Sequence, residues 1–207
     1  MHRIVCSTLV GVVALLSAVP SSRGAAAADA EVLTARIQEL TDAIAARPGD
    51  AELRIEIGNL YYENGLLDQA LASYVEATRI DSLHVGARLN LGSVYADKGD
   101  GQAALKELKH ALRLDPSNPM IYTNLGSTHY GLQQYNEAVD MYRTALSLDP
   151  NHVEAHFNLA VSFADAQLFD EAIREWQKVI ELAPGSDAAR VSADNVRMIE
   201  EFRGTAN

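Results

Sequence analysis

With one cysteine in 207 residues, the chain has nothing to pair it with: Cys6 can form neither an internal disulfide nor a thiolate metal site. Aromatic residues make up only 6% of the chain and proline six positions, while alanine and leucine abound, a profile that suits helices better than sheets. Cations are in short supply too. Seventeen lysines and arginines face 28 acids, and a net charge of −11 repels phosphate backbones and anionic head groups, which excludes nucleic acid as a partner. The chain has no G-x-S-x-G elbow, no phosphate-cradling glycine loop and no H-E-x-x-H. The expectation is a protein that is not an enzyme, with no catalytic residues, no metal and no cofactor.

Only one long apolar run exists, Ile4 to Val19, 16 residues behind a positively charged "MHR". Pro20, a serine pair and "GAAAADA" follow, with small residues for cleavage near Ala26 to Ala28, so residues 1–28 read as an export signal. The run is short for a spanning helix, which needs roughly 20 residues. An uncleaved N-terminal anchor is the alternative, and no other membrane contact is expected. Cys6 lies at the start of the run rather than at a cleavage site, which argues against lipoprotein processing. Cleavage would leave no cysteine and a net charge of −13, since residues 1–28 hold two arginines and no acid.

What the chain has in quantity is period. Offset by 34 residues, Pro48, Ser82, Pro116, Pro150 and Pro184 fall in one column, and Ala70, Ala104, Ala138 and Ala172 in another. Gly58, Gly92, Gly126 and Ala160 form a third, preceded by Ile57, Leu91, Leu125 and Leu159. Tyr74, Leu108, Tyr142 and Trp176 form a fourth, and Ala77, Ala111, Ala145 and Val179 a fifth, without an insertion. Each row holds two apolar segments of helical period, as in "LRIEIGNLYYENG" and "LLDQALASYVEATRI". Small residues fall where two antiparallel helices approach closely, and the large column fills the space between pairs. Gly65 and Gly99 suit a left-handed turn after the first helix, and the proline column stops the second.

"NLGSVY", "EAVDMYRTALSLDP" and "EAIREWQKVIELAP" resemble the tetratricopeptide repeat pattern over about Ala51 to Ser186. The departures are mild: Ser82 replaces a proline, Gln133 and Gln167 the turn glycine, Val179 a small residue, and His129 a tyrosine. The resemblance implies an all-α, right-handed solenoid of antiparallel helix pairs. Its expected divisions are the signal (1–28), an N-terminal flanking helix (29–50), four repeats (51–84, 85–118, 119–152, 153–186) and a C-terminal capping helix and tail (187–207). The cap is expected to bury a stripe at Val196, Ile199 and Phe202.

His152 and His156, with Glu154 between them, have the spacing of two metal ligands on one helical face. The lattice gives them another meaning. His152 shares its column with Asp50, His84 and Asn118, the residue before each first helix, and His156 with Arg54, Arg88 and Tyr122. They read as repeat-boundary residues.

The resemblance further implies that first helices line a concave groove. Candidates are Glu52, Ile55, Glu56, Asn59, Tyr62 and Glu63 from the first repeat and Leu89, Asn90, Ser93 and Asp97 from the second. The third offers Met120, Thr123, Asn124, Ser127 and Tyr130, and the fourth Glu154, Phe157, Asn158 and Asp165. The binding residues expected among these are Asn59, Tyr62, Asn90, Asp97, Asn124, Tyr130, Phe157 and Asn158. Asn90, Asn124 and Asn158 recur in one column, and amides can grip an extended peptide backbone whatever its sequence. Similar asparagine ladders line the repeats of O-linked N-acetylglucosamine transferases, which bind extended peptides. The set holds six acids and no cation. Some tetratricopeptide repeats clamp acidic chaperone tails with groove cations, but Ile55, Met120 and Asn124 stand at the clamp positions here. The expected partner is therefore a neutral-to-basic segment of another protein. The setting expected from signal and composition is the bacterial periplasm, in envelope assembly or secretion, with secretion or anchoring as alternatives. Self-association through Met198 and Phe202 is one rival reading, and a small-ligand or metal binder centred on His152, Glu154 and His156 is the other.

Overall fold

The computed structural model describes residues 23–205; the apolar run read as the heart of an export signal lies outside them. Ten helices and no strand occur among the described residues. They are α1 (Arg23–Ala46), α2 (Ala51–Glu63), α3 (Leu67–Ile80), α4 (Val85–Asp97), α5 (Gly101–Leu114), α6 (Pro119–Gly131), α7 (Tyr135–Leu148), α8 (Val153–Asp165), α9 (Phe169–Leu182) and α10 (Asp187–Thr205). None is long and apolar enough to cross a membrane.

Local sequence sets the helix ends. The Asp50 side chain accepts from the N–H groups of Glu52 and Leu53, His84 from Ala87 and Asn118 from Met120, and Pro119 opens α6. Each turn inside a pair passes through a left-handed residue. Gly65 and Gly99 take it with φ of 72° and 81°, and Gln133 and Gln167 take it with φ of 61°. The glutamines bear the Cβ strain that glycine escapes, so the geometry is held by the packing around the turn.

The small-residue column works as a seat. A Cβ added at Gly58 would lie 2.6 Å from the Tyr74 ring, one at Gly126 2.5 Å from Tyr142, and one at Gly92 2.7 Å from Leu108. These three pairs can therefore close only around hydrogen, whereas the fourth packs Ala160 in the cluster of Trp176. Tyr74, Leu108, Tyr142 and Trp176 are buried, as are Ala70, Ala104, Ala138 and Ala172. α4 touches α6 and α6 touches α8, so the first helices form the inner, concave layer and α3, α5, α7 and α9 the outer one.

Both ends of the array are sealed by charge. The latter part of α1 runs in register with the outer helices and packs Leu40 and Ile44 on Leu53 and Ile57 of α2. Arg36 there occupies the column of Ala70, and it turns to Glu39 and Glu56. At the other end Asp194 of α10 stands in the column of Gly58, Gly92, Gly126 and Ala160, and it pairs with Arg197. A further helix stacked on either end would bury these charges.

Candidate peptide-binding groove

The asparagine column reaches backward into the preceding repeat. Asn90 Nδ2 donates to Asn59 Oδ1 at 2.9 Å, Asn124 Nδ2 to Ser93 Oγ at 2.9 Å and Asn158 Nδ2 to Ser127 Oγ at 3.2 Å. Large residues of the outer layer meet the same acceptors from behind: Tyr74 Oη donates to Asn59 Oδ1 at 2.7 Å and Tyr142 Oη to Ser127 Oγ at 3.3 Å. Burial pushes the hydroxyls of Tyr74 and Tyr142 up to about 12, which keeps them as neutral donors. These polar nodes tie one repeat to the next through the groove floor. The amides are half-buried, and the carbonyl oxygens of Asn90, Asn124 and Asn158 remain for an incoming N–H.

The fourth node is incomplete. Val161 stands in the column of Asn59, Ser93 and Ser127, and Trp176 in that of Tyr74 and Tyr142. The indole Nε1 of Trp176 is buried without a partner, and so is the hydroxyl of Ser192, which continues the asparagine column. Val161→Thr keeps the shape and adds an acceptor; it is expected to raise unfolding stability by about 1 kcal/mol in a denaturant titration. A loss instead would show that the indole N–H is aimed elsewhere.

Two tyrosine–aspartate contacts span neighbouring inner helices. Tyr62 Oη donates to Asp97 Oδ2 at 2.5 Å, and Tyr130 Oη donates to Asp165. Burial, then the facing carboxylate, raises the pKa of both tyrosines, so neither ionises near neutrality. Glu154 of the fourth repeat adds to the negative field at Tyr62 of the first. Phe157 is half-buried and packs against the core of the third and fourth repeats.

The structure corrects the sequence-derived lining in two ways. Ile55, Leu89 and Thr123 are buried and belong to the core, because their side chains turn toward the neighbouring helices rather than the groove. A cation also enters the groove edge: Arg36 of α1 pairs with Glu56, a contact invisible to a reading confined to repeat columns. Glu52, Glu56, Glu63, Asp97, Glu154 and Asp165 are all exposed, and Asn59, Asn90, Asn124, Tyr130, Phe157 and Asn158 half-buried beside them.

Comparison with known proteins agrees with this architecture. Models described as the TPR repeat match residues 58–99 and 92–133, and one described as the tetratricopeptide repeat matches residues 123–187. The crystal structure of YrrB, a TPR protein with an unusual peptide-binding site, is 30% identical over 79% of this chain and 84% of its own, with a TM-score of 0.56. The chain belongs to the tetratricopeptide repeat family. TTC0263 from Thermus thermophilus shares the fold at 22% identity and a TM-score of 0.71, covering 84% of this chain and 95% of its own. The first TPR of Spaghetti (RPAP3), bound to the HSP90 peptide SRMEEVD, is 26% identical over 56% of this chain and 93% of its own, with a TM-score of 0.53. No curated protein sequence matches. The tetratricopeptide repeat is in general a non-catalytic interaction scaffold.

Within this tetratricopeptide array the two histidines act at repeat joints. Arg88 donates from Nε and Nη2 to the Ser82 carbonyl and from Nη1 to Glu107 at 2.8 Å, fastening α4 to the preceding loop and to α5. One repeat on, Tyr122 Oη donates to the Pro116 carbonyl at 3.1 Å. His156 then does the arginine's work, with Nδ1 2.6 Å from Glu175 and Nε2 3.0 Å from the Pro150 carbonyl. Both partners are acceptors, so the imidazolium satisfies both. Glu175 above all, and then the carbonyl, raises the His156 pKa over its ordinary 6.5. This joint contributes its full stability below pH 6.5 and loses it as pH climbs through the raised value. The stability difference between wild type and His156→Gln should accordingly shrink as pH rises, in denaturant midpoints taken from below pH 6.5 upward. His152 Nδ1 lies 3.8 Å from Asp149, its Nε2 is buried without a partner, and, unlike His84, it makes no capping bond. Among the described residues no three metal-ligating side chains come together.

Proposed function

We propose that this chain is a non-catalytic adaptor that receives an extended, neutral-to-basic segment of a partner protein in its concave groove, in the bacterial periplasm and in the service of envelope assembly or secretion. The observation that carries the reading is the charge of the inner layer. Six carboxylates of the inner layer are exposed, and the cation that reaches them from α1, Arg36, is already paired with Glu56. Such a surface attracts lysine and arginine and repels an acidic tail. That is the reverse of what the SRMEEVD-binding repeats of Spaghetti receive. The amide oxygens on the floor add sequence-independent acceptors for backbone N–H groups.

Replacing the three column asparagines would be a poor test, because it would also cut the bonds between repeats. Glu63 and Glu154 make no hydrogen bond or ion pair among the described residues, so E63K/E154K changes the groove and spares the scaffold. With the full chain as bait in native extract, wild type should capture a partner and E63K/E154K should hold it at least about tenfold more weakly. Equal capture by the two would remove the groove as the binding site.

A further inference from the structure

Charge is unevenly spread over the outer layer. Of the described side chains, the cations that enter no ion pair are Arg54, Lys106, Lys109, Arg113 and Arg143. Three of these stand on α5, and a turn of about 100° per residue brings Lys106, Lys109 and Arg113 within about 60° of arc. All three are exposed, as is Gln102 beside them, and His110 lies half-buried at the edge of the same face. That face of α5 carries no acid. Glu107, the only carboxylate of the helix, lies farther round it and is bonded to Arg88 at 2.8 Å.

The lattice extends this patch to α7 and marks it off from the remaining outer helices. Arg143 shares the column of Lys109, is exposed, and lies over the Phe163 ring at 5.9 Å. Against these four cations the corresponding face of α7 sets one acid, Asp140, in the column of Lys106. On α3 and α9 the same face neutralises itself, with Arg79 on Glu76 at 2.6 Å and Lys178 on Glu181 at 2.7 Å. Desolvation, and then the fields of Arg88 and Arg113, lower the His110 pKa below its ordinary 6.5, as befits a place where cations outnumber acids.

We propose that the outward face of α5, with Arg143 of α7, is a docking site for an acidic segment of a partner protein. Its carboxylates would meet Lys106 and Lys109 as point charges and Arg113 and Arg143 as two-pronged donors. From Lys106 to Arg113 the helix rises about 10 Å, close to the Debye length of about 8 Å at physiological salt. A short acidic segment therefore feels the patch and little of the acids around it. A membrane surface or a nucleic acid spans more than the patch and meets the net charge of −11. No large apolar side chain is exposed on α5, so the attachment is electrostatic and sensitive to salt. The inference is independent of the concave groove, which lies on the inner layer and takes the opposite charge.

Fluorescence anisotropy with the full chain and a labelled peptide of alternating glutamate and alanine tests it. Wild type should bind this peptide at low ionic strength and release it toward about 1 M salt, where the Debye length is about 3 Å. The same peptide with glutamine for glutamate should stay free. K106E/K109E/R113E should weaken binding at least about tenfold, and K106Q/K109Q/R113Q, which sets no new acid beside Glu107, should weaken it too. K178E/R190E/R197E makes the same change in net charge at exposed cations that already have carboxylate partners, and it should bind like wild type. No binding by wild type, binding indifferent to the α5 substitutions, an equal loss in K178E/R190E/R197E, or tighter binding to phosphatidylglycerol vesicles through the same three residues would each overturn the proposal.

Discussion

Alanine in place of Trp176 is expected to lower the unfolding free energy by about 3–5 kcal/mol, the largest effect of any core truncation in this chain. The indole is 2% exposed and sits among Ala138, Tyr142, Leu159, Ala160, Phe163 and Ala172, with Val196 and Ile199 of α10 packed against the same cluster. Repeat arrays gain stability at interfaces between neighbours, so a hole at this one strips the cap from the fourth repeat first. Limited proteolysis should then cut α10 before the first three repeats, and denaturant titration should show the lowered midpoint. A cost under about 1.5 kcal/mol would mean that α10 collapses onto the space and that the indole is not its floor.

Arg88→Ala should cost nearly as much, for an electrostatic reason. The Arg88 side chain is largely buried, and its guanidinium is the partner of both Glu107 and the Ser82 carbonyl. Truncation strands a largely buried carboxylate, a loss of about 3–5 kcal/mol where burial is complete. Removing both charges with Arg88→Met/Glu107→Leu should restore most of it, since a buried ion pair is often no better than well-packed apolar residues. Thermal unfolding of the single and double variants decides the matter: a double variant as unstable as the single would place the loss in the Ser82 contact instead. At the equivalent joint of the fourth repeat, His156 supplies the same two bonds only while protonated, so one column holds a permanent fastener and a pH-dependent one.

Two features of the lattice have different consequences for engineering. The glycine seats are steric: anything larger at Gly58 or Gly126 must displace a buried tyrosine ring. The left-handed turns are conformational, and at Gln133 and Gln167 glycine would remove strain without touching a neighbour.

The sequence by itself determined the helix pairs, their order and the columns on which they close. A 34-residue period in small, large and proline positions admits few other packings, because each property recurs where the same contact recurs. It also settled that the two histidines belong to columns, since Asp50, Asn118, Arg88 and Tyr122 stand where they stand. Only the tertiary structure decided which side chains face the groove. Ile55 and Leu89 lie one helical step from Glu56 and Asn90, and about a hundred degrees of rotation separates core from lining. Nor could a column show that the asparagines direct their N–H groups to the repeat before them, that the Trp176 indole is left without the acceptor that Tyr74 and Tyr142 find, or that Arg36 crosses from α1 to Glu56. Those facts depend on distances between helices, and distance is set by the packing of the whole array rather than by any one row.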